Sequence, residues 1–229
     1  MDRPGNRINV YLEVGKIRTF AGAVDWPGWS RSGRDEGSAL GALLDYGPRY
    51  ARALRGARLN FRAPTALTEF VVIERLEGNS TTDFGAPAVA TSGDAHPIGE
   101  AELRRFLAIL KASWRTIDAA VQDAGGRELR RGPRGGGREL DRILAHVLES
   151  EAAYLARLGS NFKYAERGDA ADELHRTRQA ILRSLAAAVQ GEFPVEGPRG
   201  GVRWTPRYFV RRVAWHALDH AWEIEDRIA

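Results

Sequence analysis

From Glu100 onward the chain repeats one pattern four times: apolar residues return every three or four positions, so each stretch carries a single apolar stripe when coiled as an α-helix. The first stretch, about 100–122, aligns Leu103, Phe106, Leu107, Leu110, Trp114, Ile117 and Val121. The second, about 138–158, aligns Leu140, Ile143, Leu144, Val147, Tyr154, Leu155 and Leu158, and the third, about 170–190, aligns Leu174, Ile181, Leu182, Leu185 and Val189. The fourth opens at Thr205, an N-cap followed by Pro206 at the first helical position, and continues to the end of the chain. Four such helices bury their stripes best against one another, which predicts an all-α four-helix bundle over residues 99–229.

Upstream the period changes. Ile8, Val10, Leu12 and Val14 alternate along "INVYLEV", the pattern of a half-buried strand, and Gly15 and Lys16 separate it from the strand-like "IRTFAGAVDW". A helical pattern through Leu40, Leu43, Leu44, Ala51 and Leu54 is expected to break at Gly47 and Pro48, and "EFVVIERL" reads as a further strand. Residues 1–77 are therefore expected to form a small α+β domain. Residues 78–98, rich in Gly, Pro, Ser and Thr without a sustained period, read as a linker.

Composition excludes several classes of function. With no cysteine, the chain has no disulfide, no thiolate metal site and no cysteine nucleophile. No window resembles a membrane span, and "MDRPGNRINV" has no apolar core of an export signal, so a soluble cytoplasmic protein is expected. The net charge is +4, carried almost wholly by arginine, since Lys16, Lys111 and Lys163 are the only lysines. Such a skew reflects composition more than a nucleic-acid partner, and none is expected. Trp26 and Trp29, close to Arg31 and Arg34, could stack on RNA bases, but beside Pro27 and Gly28 they read better as hydrophobic plugs.

The last helix carries the chemistry. On an ideal helix Phe209, Val213, His216, His220 and Ile224 fall within about an 80-degree arc, so two imidazoles point where the core should be. Buried without partners, polar rings cost roughly 1 to 3 kcal/mol each. Histidines four apart on one helical face can instead share an ion, and His146, midway along the second helix, is the third candidate ligand. His96, before Pro97, and His175, on a polar face, are poorer candidates. Three imidazoles suit Zn, Ni, Fe or Cu, with Zn and Ni placed first, and leave positions open for substrate. Glu223 would orient a ligand or serve as a general base, or is simply one acid of "EIED". Arg134 and Arg138 in "RGPRGGGR", with Arg212 one turn before His216, are candidates for gripping an anionic cofactor or substrate.

A central histidine in "LDRILAHVLESEAAYL" followed by the paired histidines of "VAWHALDHAWEIEDR" resembles the DinB-like superfamily of metal-binding four-helix proteins. The resemblance covers roughly residues 98–229. It implies an up-down-down-up bundle, a divalent metal held by His146, His216 and His220, and frequent homodimerisation; several members are thiol-dependent transferases or isomerases. The segment "VYLEVGKIRTFAGAVDWPGWSRSGRDEGSALGAL" is similar to a HicB-type domain over about residues 8–60, although a helical unit stands where such antitoxins carry a DNA-binding module.

Together these features lead to an expected metal-dependent transferase or isomerase that borrows a low-molecular-weight thiol as co-substrate, because the chain owns none, and acts on a small electrophilic molecule. A metal-dependent hydrolase needs only water. A non-catalytic, metal-stabilised protein that binds RNA or a protein partner through its first domain is the remaining alternative.

Overall fold

The computed structural model describes residues 7–131, 139–165, 169–198 and 200–228. The chain divides into two compact units, residues 1–95 and 96–229. Among the described residues no helix is long and apolar enough to cross a membrane.

The first unit is built on a four-stranded mixed sheet. Strands β1 (Ile8–Val14), β2 (Thr19–Ala23), β3 (Ser30–Gly33) and β4 (Phe70–Glu77) lie in the order β3-β2-β1-β4. β1 runs antiparallel to β2 and parallel to β4, with a register shift between Val10 and Tyr11. Helix α1 (Glu36–Asp45) packs on β2 and β3 and is started by Asp35, whose carboxylate accepts from the Ser38 amide at 2.7 Å. It ends where the Gly47-Pro48 pair was expected to break it, and α2 (Gly47–Ala53) follows. Trp29 is buried and stacks on Tyr50 with ring centroids 5.7 Å apart; Phe61 meets both edge-on, and Trp26 meets Phe61 at 4.8 Å. Trp29 is thus enclosed in this unit, and the half-buried Trp26 packs against the same cluster.

Two features depart from the sequence pattern. β3 has the sequence SRSG, with no strand propensity, and exists because its backbone pairs with β2 from Gly22↔Ser30 to Thr19↔Gly33. β1 is buried on both faces: Tyr11 and Glu13 are as inaccessible as Val10 and Leu12, while Val14 is exposed. The Glu13 carboxylate accepts from Thr82 Oγ1 and from the backbone amides of Ala88 (2.9 Å) and Val89 (3.1 Å). Residues 78–95, expected as a linker, are held against the first unit by that carboxylate, and Asn79 caps a short helix α3 (Ser80–Phe84) there.

The second unit contains four long helices, α4 (Glu100–Ala124), α5 (Leu140–Leu158), α6 (Ala170–Val189) and α7 (Pro206–Arg227). Thr205 caps α7 and Pro206 opens it, and α5 stops at Gly159, whose φ of 114° lies in the region open to glycine. A shared core takes Ile117 and Ala120 from α4, Ile143 and Val147 from α5, Leu174 from α6, and Ala221 and Ile224 from α7. α4 and α7 run parallel: Arg207 pairs with Glu102 near their starts, and Leu129 bridges Ile228 beyond their ends. α5 runs antiparallel to α7, since its residue 146 meets 216 and 220 while its residue 154 meets 212. α7 is buried nearly all round.

Candidate metal centre

A helix surrounded by protein must satisfy every polar side chain internally. On α7 this concerns Arg211, Arg212 and Arg227 as well as His216 and His220, the two histidines being 5% and 7% exposed. The antiparallel approach of α5 brings His146 opposite them. One ligand nitrogen from each of the three rings lies within 4.8 Å of the others, a group that could hold a metal ion. His146 Nε2 and His216 Nε2 face each other at 3.2 Å. Nitrogens bound 2.0–2.1 Å from a tetrahedral zinc stand about 3.3 Å apart, so this spacing fits two ligands of one ion.

His220 is oriented by a relay along its own helix. Its Nδ1–H donates to Glu223 Oε2 at 2.8 Å, and Arg227 donates to the other carboxylate oxygen at 2.9 Å. Arg227 Nε in turn donates to the Arg130 carbonyl at 2.8 Å. The hydrogen bond from His220, helped by the Arg227 guanidinium, holds the Glu223 carboxyl below the usual range against partial burial. An ionised carboxylate has no proton to give, so the imidazole must carry it on Nδ1, and Nε2 is left as the ligand atom. Among the two roles expected for Glu223, its geometry matches that of an orienting acid.

Arg212 lies one turn before His216 and donates to the Tyr154 hydroxyl at 3.2 Å, with its guanidinium 5.1 Å over the Trp215 ring. The Tyr154 ring meets His216 edge-on at 5.7 Å and Trp204 at 5.1 Å. Burial raises the Tyr154 phenol above its ordinary value, opposed by Arg212. Arg134 and Arg138 lie outside the described residues. Trp114, a residue of the first apolar stripe, donates from Nε1 to Glu151 at 2.7 Å. His96 and His175 are both exposed. Tyr154 and Arg227 escape a reading of the sequence: the first looks like one more stripe residue, while the second is signalled only by its four-residue spacing from Glu223.

No family model, curated protein or solved structure matches the chain.

Proposed function

We propose that residues 96–229 form a DinB-like, up-down-down-up four-helix bundle whose three histidines hold a divalent ion, and that the protein is a metal-dependent transferase or isomerase using a low-molecular-weight thiol. The convergence of His146, His216 and His220 within 4.8 Å carries this reading. The parallel pairing of α4 with α7 and the antiparallel pairing of α5 with α7 support the topology. A divalent cation there would supply Lewis acidity that lowers the proton affinity of a bound thiol or water.

The chain's own residues supply positioning. His220 is held by Glu223 and Arg227, so its Nε2 is aimed before any ligand arrives. Tyr154 and Arg212 place a hydroxyl and a guanidinium beside His216, where they would orient a polar substrate. With no cysteine in the chain, sulfur must come with the co-substrate.

Burial of both α7 histidines favours one alternative, a metal that only staples the helices together. Elemental analysis of untagged protein tests the site first. Wild type is expected to carry about one equivalent of Zn or Ni, and His216→Ala and His220→Ala almost none. Equal metal content in all three would end the proposal. Turnover of a generic electrophile with bacillithiol, mycothiol or glutathione then separates enzyme from staple: no activity in any metallated form leaves the staple.

A further inference from the structure

Charge in the first unit is segregated. Between Asp45 and Glu69 the sequence contains Arg49, Arg52, Arg55, Arg58 and Arg62 and not one acid, whereas acids outnumber bases in the rest of residues 1–95. The fold turns this run outward. α2 buries Tyr50, Ala53 and Leu54 against the unit, with Tyr50 donating to the Pro27 carbonyl at 2.8 Å. Its outer side and the turn behind it expose Arg52, Arg55, Arg58 and Arg62. The half-buried Arg31 and Arg49 lie 4.0 and 5.1 Å from the Tyr46 ring centroid, extending the basic face toward β3.

The turn is firmly built. Backbone bonds run from Leu54 to Tyr50, Arg55 to Arg52 and Ala57 to Leu54, all within 3.1 Å. Arg58 has a φ of 54°, among the described residues the only non-glycine with a positive value. That conformation suits Gly or Asn better, so folding alone does not ask for an arginine there.

We propose that this arginine face binds the phosphodiester backbone of a nucleic acid. Guanidinium groups match phosphate oxygens with paired donors, and arginines recurring every three or four residues along this face would release counterions from a polyanion. Of the nearby aromatic rings Trp29 and Tyr50 are buried, and the half-buried Trp26 and Phe61 are engaged edge-on with them, so the arginines and not a row of open rings define the face, and the contact is to the backbone. A lipid surface fits less well: Leu67 is the single exposed large apolar side chain of residues 46–68, too little for insertion. The face stands independently of the histidine site.

Fluorescence anisotropy of the full chain with labelled 20-nucleotide RNA and DNA of mixed sequence, titrated from 50 to 200 mM salt, tests this. Wild type is expected to bind with a steep salt dependence. The triple variant Arg52→Ala, Arg55→Ala, Arg58→Ala should lose more than about tenfold in affinity, with the log–log slope flatter by roughly three. Its lysine counterpart should keep most of the binding. An alanine triple at Arg104, Arg115 and Arg183, equal in charge change, should bind as wild type does; the RNA and DNA arms show which source is preferred. The proposal is overturned by absent binding of both oligonucleotides at 50 mM salt, or by equal loss in the control triple. Equal affinity for poly-glutamate, or capture by phosphatidylserine vesicles in place of oligonucleotide, overturns it too.

Discussion

A residue whose chemistry departs far from its ordinary behaviour is Glu151 of α5. It is 1% exposed, its Oε1 accepts from Trp114, and its Oε2 has no hydrogen-bond partner. Burial pushes its carboxyl up from 4.5 to about 7, partly opposed by the Arg178 charge and the Trp114 hydrogen bond and reinforced by Asp118. Arg178 is held by Asp118 at 2.8 Å, so its charge is shared. The folded state therefore keeps a proton that the unfolded chain releases at lower pH. By linkage, the stability is greatest below about pH 4.5 as far as this group is concerned, and about 3 kcal/mol is lost as pH rises through about 7. Glu151→Gln, which keeps an acceptor for Trp114, is expected to flatten that dependence in urea melts between pH 5 and 8. A wild-type midpoint that does not move across the interval would contradict the assignment.

At the scale of elements, Glu13 shows how one buried charge joins distant segments. It lies on β1, yet three donors from residues 82–89 converge on it. Glu13→Ala leaves the Thr82 hydroxyl and two amides without their acceptor, with an expected cost of roughly 2 to 4 kcal/mol. Limited proteolysis should then cut between 78 and 95 much faster than in wild type; unchanged cleavage would show that other contacts hold this segment. The four long helices were legible to within a few residues, because their stripes and the caps at Thr205 and Gly159 are local signals. β3 and the binding of residues 78–95 were not. SRSG is a strand only because β2 offers it hydrogen bonds, and Glu13 looks like a solvent-facing residue until the second face of β1 is covered.

For the whole molecule, all three histidines belong to the second unit, and their pairing couples α5 to α7. A bound ion stabilises only the states in which those helices are docked. Amide exchange with and without EDTA should accordingly accelerate in α5 and α7 and stay unchanged in β1–β4; uniform acceleration would contradict a site confined to that unit. The sequence by itself determined the α+β unit followed by four helices, and the placing of His216 and His220 on one buried face, since hydrophobic period and i,i+4 geometry are properties of a single segment. Only the tertiary structure decided that His146 meets the pair, that Arg227 ties Glu223 to the Arg130 carbonyl, and that Glu13 of β1 holds the segment from Thr82 to Val89. Those relations depend on how helices and turns from distant parts of the chain are docked, which no local pattern encodes.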